Sequence, residues 1–275
     1  MGLEQDDEGG ARRACVIVIG NQKGGSGKST VAMHLVVSLA RAGLRTGSID
    51  LDAGQATLTR YLENRRAFAE KRGLDLPSPE HVPMVPGTSL EADIRRLEHS
   101  MLAFHEEVDV VVIDTPGSDT ALNRAAHALA DVLITPLNDS FIDLDVMARI
   151  DGDSMTITGP SPYAAAVWEA KQARARRDGT SMRWIVMRNR LSHLDARNKR
   201  DMEDALNDLS RRIGFSVVPG LGERVIYREL FLNGLTLLDL KDKGTGVDIS
   251  MSHVAARQEL RALLAAIGMP KSIGL

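Results

Sequence analysis

The chain alternates short, unbroken apolar runs with segments of helical periodicity. Residues 14–20, Ala-Cys-Val-Ile-Val-Ile-Gly, make the first run, which predicts a strand buried on both faces. Residues 28–42 carry Val31, Leu35, Leu39 and Ala42 near helical spacing and predict a helix. A second strand is expected over 44–50, ending at Asp50-Leu51-Asp52. Residues 57–71 are expected to be helical up to a Lys-Arg-Gly stop. Pro77, Pro79, Pro83 and Pro86 mark an irregular stretch, after which 89–106 reads as helix again. Four more buried strands are expected at Val108–Asp114, Val132–Thr135, Trp184–Met187 and Phe215–Val218. Apolar strands separated by helices predict an α/β fold: a single domain with a mainly parallel sheet flanked by helices on both faces. The domain is expected over 14–268, with a disordered tail at 1–13 and a C-terminal tail at 269–275. The Pro-rich stretch and Gly152–Pro162 read as insertions into it.

Composition narrows the class. The chain of 275 residues is 43% hydrophobic and 26% charged, as for a globular protein that buries its own core. Aromatic residues are only 4%, too sparse for a surface built on base stacking. The formal net charge of −3 means that nucleic-acid binding would need a local basic patch. Cys15 is the only cysteine and is expected to be a buried strand residue; it can form neither an intrachain disulfide nor a cysteine-only metal site. A reducing, cytoplasmic compartment is therefore expected. No secretory signal is visible, and no run approaches the ~20 apolar residues of a membrane span.

The most specific chemistry follows the first strand. Gly20-Asn21-Gln22-Lys23-Gly24-Gly25-Ser26-Gly27-Lys28-Ser29-Thr30 opens the first helix, which is the context a phosphate loop requires. Small residues at Gly24, Gly25, Ser26 and Gly27 let backbone N–H groups close round phosphates, and the helix N-terminus adds a partial positive charge. Lys28 is expected to reach the β- and γ-phosphates, Ser29 to ligate Mg²⁺, and Thr30 to hold the α-phosphate. Gln22 stands where the ordinary pattern has glycine. What replaces it, Lys-Gly-Gly-x-Gly-Lys-Ser, resembles the deviant loop of the ParA/MinD group of ATPases. The resemblance implies that Lys23 contacts phosphate bound in the partner subunit of an ATP homodimer.

Other residues fall into place beside it. Asp114, at a strand end before Thr115-Pro116-Gly117, can hold Mg²⁺ through a water. Asp52 looks like the switch carboxylate that orients the attacking water in the same group, so Lys23, Lys28 and Asp52 are the expected catalytic set. Asn189, after a late strand, stands where the group reads the adenine edge, and its amide supplies both a donor and an acceptor.

Several relatives of the group are set aside. Iron–sulfur carriers need paired cysteines. A MinD-like protein ends in a basic amphipathic helix, whereas Leu260, Leu263, Leu264 and Ile267 predict core packing and no membrane contact. The tyrosine kinases of this fold carry a tyrosine cluster, and Tyr61, Tyr163 and Tyr227 are scattered.

The blocks Asn64-Arg65-Arg66-Ala67, Pro136–Phe141, Val167-Trp168-Glu169, Arg188–Leu191, Arg224–Phe231, Gly234–Leu240 and Ala255–Leu263 resemble the MipZ family. That resemblance covers residues 14–267 apart from the Pro-rich stretch. It implies a regulator of bacterial division-site placement that is recruited by ParB, dimerises with ATP, binds DNA without sequence preference and inhibits assembly of FtsZ. Such a protein would be nucleoid-associated. In that family a helix corresponding to 195–213, and a later loop, supply basic DNA contacts. Arg197 fits that pattern, while Asp201 and Gly222 stand where arginines are expected. Lys199, Arg200 and Arg224 could compensate. Paired charges along the same helix read equally well as a solvated face. Two other readings remain at this stage: a ParA-type segregation ATPase, and a metabolic P-loop ligase of the dethiobiotin-synthetase kind.

Overall fold

The computed structural model describes residues 13–52, 54–85, 87, 89–138, 141–150, 157–189, 196–222, 224–242, 244–246 and 251–268. The elements in chain order are β1 (Cys15–Ile19), α1 (Lys28–Arg41), β2 (Thr46–Asp50), α2 (Thr57–Arg72), β3 (Glu80–Pro83), α3 (Leu90–Glu107) and β4 (Val110–Asp114). They continue with α4 (Ala121–Leu129), β5 (Val132–Asn138), α5 (Phe141–Leu144), β6 (Ala148–Ile150), β7 (Ile157–Pro160), α6 (Pro162–Asp178) and β8 (Arg183–Asn189). The last are α7 (Ala196–Ile213), β9 (Ser216–Pro219), α8 (Ile226–Leu232), a 3₁₀ turn (Asp239–Lys241) and α9 (Met251–Ile267).

Seven strands form a parallel sheet in the order β3-β2-β4-β1-β5-β8-β9, and β6 and β7 form a separate antiparallel pair. Every residue of β2 and β4 is buried, as is β8 after its first residue. Successive side chains point to opposite faces, so these strands are covered on both. The chain divides into two compact units that it enters more than once. One comprises Met1–Val16, Ser29–Asp114 and Arg224–Leu275; the other comprises Ile17–Lys28 and Thr115–Glu223.

In the first unit, α1 buries Val31, Leu35 and Leu39 completely, each worth about 1.5–3 kcal/mol. A second cluster joins Leu76, Ile226, Leu230, Leu235, Leu237, Leu240 and Ala256. Leu260, Leu263, Leu264 and Ile267 are buried, so α9 packs into the core as its apolar positions predict. Arg65 is wholly buried and grips Asp239 with two bonds of 2.8 and 2.9 Å, and Arg41 adds a third at 2.6 Å. Gly234 is required here, because a Cβ would lie 2.0 Å from the Arg65 backbone nitrogen.

Three expectations need correction. The Pro-rich stretch is not wholly irregular: Glu80–Pro83 form β3, which pairs with β2 from Gly47↔Glu80 to Asp50↔Pro83. Pro83 is tolerated because β3 is an edge strand and its position closes the ladder. Within the expected insertion 152–162, Ile157–Pro160 form β7, which pairs with β6. Cys15 is half-buried rather than buried, because it is the first residue of β1. The two expected tails, apart from Arg13, lie outside the described residues.

Candidate nucleotide-binding site

The phosphate loop is built by backbone geometry. Gly25 and Gly27 have φ of 74° and 88°, left-handed values that side-chain-bearing residues avoid. A Cβ at Gly24 or Gly25 would meet no heavy atom within 4 Å, so the loop presents an open peptide surface there. Asn21 braces the entry: its side-chain amide donates to the Pro136 carbonyl at 2.6 Å, and its Oδ1 accepts from the Lys23 backbone N–H at 2.8 Å. The Lys28 ammonium is buried and donates to the Lys23 carbonyl at 3.1 Å, so it curls over the loop rather than pointing to solvent.

The Lys23 side chain is 38% exposed. Its ammonium pairs with Asp143 on α5, whose carboxylate is only 5% exposed. Asn189, at the end of β8, donates from Nδ2 to the Ser26 carbonyl at 2.6 Å. It also explains Gly27, where a Cβ would lie 2.3 Å from the same nitrogen. Gly117 also packs on the loop, since its Cβ would sit 2.9 Å from the Gly24 nitrogen.

Four residues that sequence reasoning did not assign hold the first residue of this loop. Trp184 Nε1 donates to Thr135 Oγ1 at 3.0 Å, Thr135 bonds Tyr163 at 2.8 Å, and the Tyr163 hydroxyl donates to the Gly20 carbonyl at 2.8 Å. Because Tyr163 gives its only proton to Gly20, Thr135 must donate to Tyr163, so the wire has one direction. Burial drives the Tyr163 phenol upward in pKa. His127 fills the space that a side chain at Gly20 would need: a Cβ would lie 2.5 Å from its Nε2, and burial holds the imidazole down to about 4. No local motif marks these partners. The one available signal is a set of polar side chains in otherwise apolar elements.

In the first unit, Ser29 and Thr30 stand in the first turn of α1. His34, one turn on, ties that turn down: its Nδ1 faces the Thr30 carbonyl at 2.8 Å and its Nε2 the Leu237 amide at 3.4 Å. The amide can only donate, so Nε2 accepts and the ring is neutral; burial lowers its pKa to about 4. Asp114 ends β4, is 1% exposed, and its carbonyl accepts from Leu51 at 2.9 Å. Asp52 follows β2. Its amide donates to Asp50 Oδ1 at 3.0 Å, and its own Oδ1 accepts from Gln55 at 3.3 Å. Ser29 and Asp114 offer hard oxygen donors of the kind Mg²⁺ takes, so the residues present fit that ion.

The basic residues expected to meet DNA are less well served. The side chains of Arg197, Lys199 and Arg200 lie outside the described residues. On the described part of α7, Met202, Leu206 and Leu209 are buried, and Asp208 pairs with Arg212 at 2.7 Å. Arg224 takes a different role from the one assigned by sequence. Its guanidinium makes two bonds of 2.6 and 2.8 Å to Glu259 on α9 and is only 12% exposed. The ion pair with α9 removes it from the exposed basic set.

The parallel sheet and the glycine loop at the end of β1 define a P-loop nucleotide-binding protein. A family model described as ATPase MipZ matches residues 15–271. The chain belongs to the MipZ family of ATPases.

Among characterised relatives, it is 30% identical over 167 residues to the chromosome partitioning protein ParA of Myxococcus xanthus, covering 52% of this chain and 59% of that protein. It is 25% identical over 159 residues to the sporulation initiation inhibitor protein Soj of Bacillus subtilis, covering 49% and 62%. The chain thus spans about three-fifths of the length of these relatives. Among solved structures, the ATP complex of a Cyanothece McdA variant aligns with a TM-score of 0.62 at 17% identity, covering 95% of this chain and 99% of that one. The septum site-determining protein MinD of Pyrococcus horikoshii, complexed with Mg-ADP, aligns with a TM-score of 0.58 at 18% identity, covering 93% and 98%. These two likenesses concern the fold.

Proposed function

We propose that this chain is an ATP-dependent dimerisation switch that regulates division-site placement. The observation that carries the reading is the pair of lysines in one phosphate loop: Lys28 buried over the loop, and Lys23 extended away from it to Asp143. A lysine that its own loop does not use can reach a nucleotide in a second copy once it exchanges Asp143 for phosphate. In this reading the amides of Gly24, Gly25, Ser26 and Gly27, with Lys28, cradle the β- and γ-phosphates of ATP. Thr30 holds the α-phosphate, and Asn189, expected at the adenine edge, braces the phosphate loop through Ser26. Ser29 and, through a water, Asp114 would hold Mg²⁺, which offsets phosphate charge.

Asp52 orients the attacking water. Catalysis of this kind is positioning and electrostatics, which one carboxylate and two lysines can supply. Hydrolysis to ADP and phosphate returns the homodimer to monomers, so turnover sets the lifetime of the dimer.

Family membership supports the further assignment: recruitment by ParB, non-specific DNA binding by the dimer, inhibition of FtsZ assembly, and a cytoplasmic, nucleoid-associated location. The DNA surface rests on Arg197, Lys199 and Arg200. ParA-type chromosome or plasmid segregation is the second reading, favoured by the Myxococcus relative; it shares the chemistry and differs in cargo. The discriminating test is sedimentation of FtsZ polymers with one molar equivalent of the ATP-loaded Asp52→Ala variant. Loss of pelleted polymer is expected, and an unchanged pellet would overturn the division reading in favour of segregation.

A further inference from the structure

The Pro77–Pro86 stretch, expected from sequence to be an irregular insertion, delivers one side chain to the switch. His81, on edge strand β3, lies between two hydroxyls: its Nδ1 is 2.9 Å from Ser48 Oγ, and its Nε2 is 3.0 Å from Thr59 Oγ1. Thr59, in the first turn of α2, gives both its backbone N–H and its hydroxyl to Asp50 Oδ2, each at 2.9 Å. The other oxygen, Asp50 Oδ1, accepts the backbone N–H of Asp52 at 3.0 Å. Asp50 is 1% exposed and Ser48 is fully buried, while His81 and Thr59 are half-buried.

The chemistry fixes the direction of this chain. An ionised carboxylate only accepts. Thr59 therefore donates its proton to Asp50 and must accept from His81, which puts the imidazole proton on Nε2. In the neutral ring Nδ1 then accepts from Ser48, the shorter of two contacts of that hydroxyl, the other being the Glu80 carbonyl at 3.4 Å. The result is a directed relay, Ser48 to His81 to Thr59 to Asp50, whose last member holds the amide of Asp52. A parallel ladder bond reinforces it, since the Met84 amide donates to the Asp50 carbonyl at 2.9 Å. Beyond Asp52 the chain turns tightly: the Gln55 and Ala56 amides come back onto the Asp52 carbonyl, at 3.1 and 2.6 Å, and Ala56 itself sits at φ 46°. Asp50 thus connects the rigid sheet to a tight, strained turn.

We propose that His81 and Thr59 are positioning residues for ATP hydrolysis, holding the Asp50 carboxylate in the one orientation that aims Asp52 at the attacking water. The proposal rests on the role given to Asp52 above. It makes the edge strand part of the catalytic support.

The test compares His81→Phe, His81→Gln and Thr59→Val in the full chain. His81→Phe keeps ring bulk but loses the donor. His81→Gln keeps an N–H near the Nε2 position. Thr59→Val keeps shape but loses the hydroxyl. His81→Phe and Thr59→Val are expected to lower kcat about tenfold, equivalent to ~1.4 kcal/mol in the barrier. KM for ATP and affinity for β,γ-imido-ATP should stay within about twofold, because the phosphate loop is untouched. The double variant should be no slower than the slower single one, since both cut the same chain. His81→Gln should recover at least half of the lost rate on a logarithmic scale. Hydrogen exchange at the Asp52 amide should quicken in His81→Phe.

Wild-type kcat in both disabling variants would overturn the proposal. So would a Gln variant as slow as the Phe variant, or an equal loss in kcat and nucleotide affinity, which would mean general loosening. If His81→Phe does not fold, Thr59→Val and His81→Gln carry the same comparison. The two failures are separable. Normal hydrolysis by Asp52→Ala would remove the role of Asp52 itself. An inactive Asp52→Ala beside fully active His81 and Thr59 variants would remove only the relay.

Discussion

The ammonium of Lys23 is paired with the carboxylate of Asp143 within one chain. Asp143 is buried on α5, while the Lys23 side chain is 38% exposed. The lysine that would cross to a partner's nucleotide is therefore held at home by a competing anion. A half-exposed pair of this kind contributes on the order of 1 kcal/mol. Asp143→Ala is expected to free Lys23 in both copies and lower the protein concentration at which the ATP dimer forms by roughly thirtyfold. Analytical ultracentrifugation with Mg-ATP measures this; a weaker dimer would mean that Asp143 supports the dimer-competent pose of Lys23 instead.

Gly27 and Asn189 form a second testable pair. Gly27→Ala places a methyl 2.3 Å from Asn189 Nδ2 at φ 88° and is expected to abolish nucleotide binding. Asn189→Ala removes the 2.6 Å bond to Ser26 and is expected to weaken ATP affinity about tenfold, by loss of loop bracing. Combining the two should restore binding only in part, because the left-handed backbone strain of ~1–2 kcal/mol persists without the clash. Fluorescent-ATP titration reads all three; normal affinity in Gly27→Ala would contradict the loop geometry.

Acid should destabilise the fold in a defined window. Burial lowers both His34 and His127 to about 4, against about 6.5 for an unfolded histidine. Between those values the unfolded chain binds protons that the folded one refuses, so stability falls as pH drops. Over the full span each histidine is worth roughly 3 kcal/mol. Asp239 acts lower down. Burial alone would raise it, but hydrogen bonds and charge from Arg65, with Arg41 and the Thr236 amide, hold it down to about 2. Its contribution is complete above about 4 and is lost as pH falls towards 2. Urea midpoints should therefore drop steadily from about pH 6.5 to 4, with an uptake on unfolding approaching two protons. A flat midpoint across that range would contradict the neutral, buried assignments.

Much of this architecture is visible in local pattern, because buried parallel strands are apolar on both faces. β1, β2, β4, β5, β8 and β9 all lie where such runs fall, within a few residues at each end. The phosphate loop is equally legible, since its geometry demands glycine at Gly25 and Gly27. β3 is hidden because three prolines flank, and a fourth ends, a four-residue edge strand of half-polar sequence, Glu-His-Val-Pro. α6 is not among the expected elements, although Ser161 caps it, Pro162 starts it and Gly179 stops it, a signature that reads directly once sought. The supports of the site are not legible in sequence. Trp184, Thr135, Tyr163 and Gly20 come together only through tertiary contact, as do His81, Thr59 and Asp50. Arg224 misleads for the same reason: a basic residue in a loop gives no sign that Glu259, 35 positions later, will neutralise it.

The central claim is that two lysines in one loop make ATP the ligand that joins two copies. It is tested most directly by the solution mass of Asp52→Ala, by light scattering, in Mg-ATP and in Mg-ADP, beside the Lys23→Ala/Asp52→Ala double variant. A dimer is expected only for Asp52→Ala in ATP, with the double variant binding ATP at comparable affinity yet remaining monomeric. A monomer for Asp52→Ala in saturating ATP, or a dimer that survives the loss of Lys23, would contradict the account.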